Sequence, residues 1–407
     1  MSNNGKILND PIYGLIEIPY GIIYELMEHR YYQRLRRINQ LGFTQYVYPG
    51  ATHTRFNHTI GALHLMQKAI RTLLAKGIEI SPEEAEATCI AILLHDIGHG
   101  PFSHCLEYNL LPIEHEELSI AFMEKLNEEF DGRLSLAIRI FKNDYHKNFL
   151  HQLLSGQLDM DRMDYLTRDS FFTGVLEGVV GYDRIIKMLN VHNGELVIEH
   201  KGLYTVESFL VSRRIMYWQV YLHKTVVCAG EMTIAAIKRA RLLVKKGASF
   251  NLSKSLNFFL SEEFSKDSLK KDRDQILHHF SRLDDTDILT ALKAFSESDD
   301  FILSFLSQSL VSRKLFRVKM QNEPIDSDFI AVIKEKTMKQ CSIEANDIDF
   351  LVFGGQESNK AYAPGSKEIM IKLASGEVKP MSEWSEHHIP GREVVKYFIC
   401  YPKNLII

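Results

Sequence analysis

Apolar residues recur at helical spacing through most of the first three-quarters of the chain. Ile60, Leu63, Met66, Ile70 and Leu74 share one face and predict a helix over about 56–75. Ser81-Pro82-Glu83-Glu84 reads as a helix start. Serine caps, proline suits the first helical position, and glutamate stands where a capping box needs it. Ile90, Leu93, Leu94 and Ile97 continue that stripe and Gly98 stops it. A third helix is predicted over about 157–170. The stretch 205–246 is helical for too long to be one uncapped piece, so an interruption is expected within it. Alternation at Gly194–Ile198 predicts a small hairpin with its return. The charged run Ser265–Arg273 reads as a surface loop or helix end. From about residue 319 the pattern changes: Leu351-Val352-Phe353, Ile369–Lys372 and Tyr397–Cys400 read as strands, and Gly376 supplies a turn before Val378. The expected fold is mainly α, with a helical domain over 1–318, small β-hairpins, and a smaller α+β region over 319–407.

Composition narrows the class. The chain has 407 residues, 45% of them hydrophobic and 25% charged, which is enough to bury a sizeable core. A net charge of −4 argues against a chain that binds nucleic acid over its whole surface. The five cysteines (Cys89, Cys105, Cys228, Cys341, Cys400) are scattered and never form a CxxC pair, so neither a disulfide framework nor a cysteine zinc site is expected. The polar N-terminus lacks an apolar signal region, and no apolar run reaches about eighteen residues. A reducing cytoplasm is the expected compartment, and no membrane contact is expected.

The candidate chemistry lies in three segments: Arg55–His58 at the opening of a helix, His95–His104, and Asp159–Tyr165. An adjacent His-Asp pair at a helix end points its two side chains about 100° apart around the axis, into one cavity. Imidazole plus carboxylate suits Zn, Fe or Mn, and more carboxylate and water would suit Mg. A distant histidine and a distant aspartate complete a four-ligand set that leaves positions open for water and substrate. His95, His99 and His104 lie within one short Gly-rich segment, and a core role would have to hold for each of them separately. Glu107 follows His104 at a spacing that lets the two hydrogen-bond. Taken alone, Asp159, Asp161 and Asp164 read as a solvated face, and His115 as an exposed helix start.

At these residues the sequence resembles the HD-domain superfamily of metal-dependent phosphohydrolases. It is most similar to the deoxynucleoside triphosphate (dNTP) triphosphohydrolases, both the bacterial dGTPase-related enzymes and the vertebrate sterile-alpha-motif and HD-domain enzyme. The matching segments are Lys6–Gly14, Tyr32–Gly42, Tyr48–His58, His95–His104 and Asp161–Asp169, so the resemblance covers about 6–230 well. It implies an HD-domain helical core and a divalent metal (Fe, Mn, Zn, Ni or Mg) on His58, His95, Asp96 and Asp161. It places His99, His104, Glu107 and His115 around the scissile phosphate, with Arg55 on phosphate and Arg162, Tyr165 and Arg213 on the triphosphate. Gln40 and Leu41 would face the sugar, Tyr221 would pack on the nucleoside, and Asp169 would lie near the 3′ hydroxyl. Lys6, Asn9, Gln33, Arg36 and Lys224 match parts of a nucleotide-activated allosteric site, with Glu28 at its guanine-reading carboxylate. That match implies an activating nucleotide and a homo-oligomer, dimer or tetramer. Glu107 stands where the vertebrate enzyme has aspartate, and Phe171-Phe172 replaces a histidine pair.

The reaction implied is hydrolysis of dNTPs to deoxynucleoside and tripolyphosphate, with His104 as proton donor and His115 next in line. The alternatives are another HD nucleotide phosphohydrolase, such as a nucleotidase or alarmone hydrolase, and a non-catalytic nucleotide sensor.

Overall fold

The computed structural model describes residues 5–359, 368–384 and 393–403, and it is mainly helical with three small sheets. The chain opens with a two-stranded antiparallel hairpin, β1 (Gly5–Asp10) and β2 (Gly14–Pro19). This segment matched no strand signal in the sequence reading. Its inward residues, Ile16 and Ile18, are buried, while Ile7 and Leu15 stay exposed.

Four helices build the centre. Helix α1 (Arg55–Ala75) begins with a capping box in which the Asn57 carboxamide oxygen accepts from the Thr54 amide at 3.0 Å. Helix α2 (Pro82–Leu94) carries the predicted Ser81–Glu84 capping box. It is buried from Ala87 through Leu94 with no polar face, as a helix surrounded by others must be. It ends at Leu94, before the predicted stop at Gly98. The chain turns tightly there because the fully buried Arg34 guanidinium donates to the Ile97 carbonyl at 2.7 Å and the His99 carbonyl at 2.8 Å. Arg34 thereby satisfies two carbonyls of the turn just beyond the helix. Helix α3 (His115–Glu129) packs its apolar face into the same core, and α4 (Met160–Thr173) crosses α1. The Asp159 carboxylate caps α4, accepting from the Arg162 amide at 2.6 Å, so this helix sits three residues later than expected.

The hairpin of β3 (Leu189–His192) and β4 (Glu195–Glu199) turns at Asn193-Gly194, both at positive φ (52° and 82°), the geometry of a two-residue type I′ turn. The predicted long helix is interrupted. Helix α5 (Leu203–Met216) passes through a π-helical turn at Tyr217–Tyr221 into α6 (Lys224–Lys245). Ser265–Arg273 is a turn leading into a helix over Ser268–Phe280.

Beyond Val311 the chain forms β5 (Arg317–Gln321), helix α7 (Ser327–Cys341) and β6 (Phe353–Asn359). It continues through β7 (Met370–Lys372) and β8 (Val378–Pro380) to β9 (Val394–Tyr401). The expected strand at Leu351–Phe353 is displaced: Leu351 and Val352 close a 3₁₀ turn, both are buried, and the strand starts at Phe353. Strands β5, β9 and β6 form one antiparallel sheet, while β7 adds in parallel to β4. Leu351, Ile371, Phe398 and Cys400 share the hydrophobic cluster of the helices, so the segments after 318 pack on the helical body. Among the described residues no helix is long and apolar enough to cross a membrane.

Candidate metal centre and active-site cavity

Three helix ends converge: the first turn of α1, the residues just after α2, and the first turn of α4. His58 Nε2 lies 3.2 Å from His95 Nε2 and 3.1 Å from Asp161 Oδ1. His95 Nε2 is 3.4 Å from Asp161 Oδ1 and 3.3 Å from Asp96 Oδ1. The outer nitrogens settle the tautomers. His58 Nδ1 donates to Asp164 Oδ2 at 2.8 Å and His95 Nδ1 to the Ile92 carbonyl at 2.7 Å. In the neutral imidazoles each Nε2 then carries the lone pair, and both face two carboxylates. A cluster of acceptors without a donor fits a cation, and the orienting bonds on the far side of each imidazole are those of metal-ligating histidines. Burial opposes protonation of His58, but Asp161, Asp164 and Asp96 outweigh it and push its pKa up to about 10. The field at this point therefore draws in positive charge. His58, His95 and Asp161 form a group that can hold a metal ion. Asp96 lies beside them, its pKa held well down against the cost of burial by Arg55, His95 and His99.

The support for His58 was invisible in the sequence. Asp164 also accepts from Arg168 Nε and Nη2, both at 3.0 Å, and Arg168 Nη1 donates to Asp10 Oδ2 at 2.7 Å. All four side chains are essentially solvent-free. The chain His58–Asp164–Arg168–Asp10 thus runs from the candidate metal centre to the N-terminal hairpin. Gly61 makes room for it, since a Cβ there would overlap both the Asp164 carboxylate and the Arg168 guanidinium. Asp164 had read as part of a solvated face.

A second histidine cluster adjoins the first. The Glu107 carboxylate grips two imidazoles at once, His104 Nδ1 at 2.7 Å and His115 Nδ1 at 2.6 Å, and also accepts from the His115 amide at 3.0 Å. Burial works against the charge on Glu107, yet these bonds hold its pKa far below the usual carboxylate range. His99 stacks on His115 with ring centroids 4.0 Å apart and planes 17° from parallel. Burial and the nearby Arg55 charge keep His99 neutral. The three rings are close enough to be considered as metal ligands. Near-parallel stacking, however, aims the in-plane lone pairs of His99 and His115 alongside each other rather than at one point. The cluster is better suited to moving protons. The helix-start position of His115 was legible, but its capture by Glu107 was not.

A cavity of about 660 Å³ joins these groups. Asp96, Asp161, Arg55, Arg162, His99, His104, Glu107 and His115 line it, as do Gln40, Leu41, Tyr165, Asp169 and Tyr221. Arg55 is held by Asp96 and donates to Ser103 Oγ at 2.7 Å. Arg162 Nε donates to the Gly156 carbonyl at 2.7 Å and to Asp159 at 3.0 Å. Asp169 is clamped by Tyr221 Oη at 2.8 Å and by His53 Nε2 at 2.7 Å.

The HD domain family model matches residues 55–169, and the HD associated region model matches 180–253. A phosphohydrolase of known structure from Bacteroides thetaiotaomicron superposes with a TM-score of 0.94 at 46% identity, over 98% of this chain and 100% of that one. The chain belongs to the HD-domain phosphohydrolases. An uncharacterized protein of Mycoplasma genitalium, MG461, is 30% identical over 92% of each chain. The deoxynucleoside triphosphate triphosphohydrolase SAMHD1 of Homo sapiens is 27% identical over 67% of this chain, which spans 53% of that protein.

Other residues of interest in this HD-domain phosphohydrolase lie outside the cavity wall. Arg213 is buried behind it, donating to Gln157 Oε1 at 3.2 Å, with no partner for its Nε among the described residues. Gln33 and Arg36 meet, the Arg36 Nε donating to Gln33 Oε1 at 2.8 Å. Lys6, Asn9, Glu28 and Lys224 are exposed, and no hydrogen bond among the described residues joins them to that pair. Sequence reasoning passed over Asp10, His53 and Arg168. It also missed Glu231 and Glu357, which line the cavity.

Proposed function

We propose that this chain hydrolyses dNTPs to deoxynucleoside and tripolyphosphate. The observation that carries the reading is the lining of one cavity. Arg55 and Arg162 line it with the Asp96 and Asp161 carboxylates, and Tyr165, Tyr221, Leu41 and Asp169 offer aromatic and polar surface for a nucleoside. The likeness to SAMHD1 supports the same reading. His58, His95, Asp96 and Asp161 would hold a divalent ion, and their mixed nitrogen and oxygen donors suit Mn, Fe or Zn. Such an ion supplies polarisation of a phosphoryl oxygen and neutralisation of phosphate charge.

The chain's own groups do the rest. Arg55 and Arg162 offset charge that builds on the phosphate oxygens. Water attacks the α-phosphorus, the bond to the 5′ oxygen breaks, and that oxygen takes a proton. His104 donates it. Glu107 fixes the Nδ1–H of His104 and so leaves Nε2 for proton exchange. His115, held the same way, takes the proton that the attacking water sheds and passes it on to His104. Asp169, fixed by Tyr221 and His53, faces the sugar.

Incubation of the purified protein with each dNTP and Mn²⁺ or Mg²⁺, with identification of the phosphate product, tests the reading. Tripolyphosphate is expected. Orthophosphate or pyrophosphate would reassign the chain to another nucleotide phosphohydrolase. We also read the chain as a homo-oligomer controlled by a nucleotide bound near Lys6, Asn9, Gln33 and Arg36. The exposed Ile7 and Leu15 on the β1–β2 hairpin support an interface there. Sedimentation velocity with and without dGTP checks this: a fully active monomer under both conditions would reject it.

A further inference from the structure

The backbone just before His104 is strained. Phe102 and Ser103 both sit in the left-handed region, at φ 54° and 55°, and neither is a glycine. Such a conformation costs free energy, most of all for a bulky residue, and persists only where the surroundings fix it. Phe102 is buried and its ring stacks on Phe43, with centroids 4.2 Å apart and planes 8° from parallel. The backbone is fixed from another part of the chain. Asp285 is buried and opens a helix over Asp285–Phe295. Its Oδ1 accepts from the Phe102 amide at 2.7 Å and its Oδ2 from the Asn39 amide at 2.8 Å. The Asn39 carbonyl in turn accepts from Ser103 Oγ at 3.0 Å, and the same Oγ accepts from Arg55 Nε at 2.7 Å. Asp285, Asn39, Ser103 and Phe102 thus close a ring of bonds that ends on Arg55.

The segment that carries Asp285 is itself pinned to the same place. Arg34, which holds the Ile97 and His99 carbonyls, also donates to the Leu283 carbonyl at 3.2 Å, and Asp284 pairs with Arg37. Burial raises the pKa of Asp285 to about 6, while the Phe102 and Asn39 amides favour its anion. At pH 8 it is therefore ionised, with one oxygen for each amide. Resting on the reading above of Arg55 on phosphate and His104 as proton donor, we infer that Asp285 is a positioning residue for both. By fixing Phe102 and Asn39 it aims Ser103 at Arg55 and sets the direction in which the chain delivers His104 to the cavity. Asp285 lies beyond the residues that the family models match, 55–169 and 180–253, so the placing of the reacting groups depends on chain outside them.

The test is a double-mutant cycle of Asp285→Asn and Ser103→Ala in the full chain, at pH 8 with Mn²⁺. It is read in dNTP turnover and in the affinity for inorganic tripolyphosphate. Asparagine has one acceptor oxygen and turns its amide hydrogens on the other backbone N–H, so the ring opens. Each single variant should raise the Kd for tripolyphosphate roughly tenfold, the size of one hydrogen bond to a charged group. Each should also lower kcat on the order of 10²-fold, as small misplacements of reacting groups do. Because both changes act through one Oγ, the double variant should lose no more than the worse single one. Asp284→Asn keeps the helix cap and gives up only the pair with Arg37, so both readouts should stay within about twofold of wild type. Losses that multiply in the double variant overturn the inference, as do wild-type affinity and turnover in Asp285→Asn. If that variant does not fold, Asp285→Ser, which keeps one acceptor and brings no opposing amide, takes its place under the same criteria. If wild type hydrolyses no dNTP, the tripolyphosphate cycle still decides, so failure of the reaction is told apart from failure of the positioning role.

Discussion

Asp164→Asn tests whether the buried chain behind His58 serves the metal centre. Asp164 accepts from His58 Nδ1 at 2.8 Å and from two nitrogens of Arg168 at 3.0 Å. An asparagine has one oxygen where aspartate has two, so it cannot satisfy both partners. If its oxygen faces His58, its amide hydrogens meet Arg168, donor against donor. If it faces Arg168, the amide drives His58 into the other tautomer, with hydrogen on Nε2, and that nitrogen is lost as a ligand. Either orientation sacrifices a charge-assisted bond in a site without solvent.

Breaking one partner out of a buried ion pair costs about 3–5 kcal/mol, and the low end applies here because Arg168 keeps Asp10 at 2.7 Å. Loss of the orienting bond to a ligating histidine lowers metal affinity about 10- to 100-fold, equivalent to about 1.4–2.7 kcal/mol. Chelator competition measures the affinity, and urea denaturation of the metal-free protein measures the stability. Arg168→Gln is the control: it removes the cation, leaves the Asp164–His58 bond in place, and should cost stability more than metal affinity. Metal affinity in Asp164→Asn within about twofold of wild type would refute the relay, whatever the stability does.

The other predictions follow from the same geometry. Asp96→Ala removes a carboxylate from the centre and the partner of Arg55, so metal content measured by elemental analysis should fall to background. Stripping the metal from wild type should lower its melting temperature, by an amount that grows with the metal concentration used before chelation. His104→Ala should keep metal content while turnover falls by roughly 10²-fold or more, and a near-normal rate would shift proton donation to His115. Glu107→Gln should lower turnover at least as far, because both His104 and His115 lose their orienting carboxylate. The Glu107 carboxyl lies below its ordinary value of 4.5 in the fold, so its ionised form stabilises the protein above that pH and the benefit fades as pH falls beneath it. The gap in melting temperature between wild type and Glu107→Gln should therefore narrow in acid. Gly61→Ala forces a methyl group onto Asp164 and Arg168, and should cost about 1–3 kcal/mol in denaturation and weaken metal binding with it.

The sequence by itself determined the helical core and the chemistry-bearing motifs, because both are written in local spacing. A 3.6-residue apolar stripe and a serine cap place α1 and α2 whatever surrounds them. His95-Asp96 followed by His99 and His104 concentrates ligand-type side chains within one short segment. The His104–Glu107 bond is one helical turn and was legible for the same reason. Tertiary structure decided everything that depends on groups far apart in the chain. Asp164 shares its helix with Asp161 and looks no different from a solvated carboxylate until α1 packs on α4 and sets it against His58. Arg168 and Asp10 are separated by 158 positions, and only the docking of the N-terminal hairpin joins them. Arg34 ends α2 early by reaching carbonyls 63 and 65 residues away. Glu231 and Glu357 come to line one cavity only once the chain has folded. Local spacing encodes which side chains a single element presents. Burial, charge pairing and the shape of a cavity belong to elements in contact, and those contacts exist only once the chain has folded.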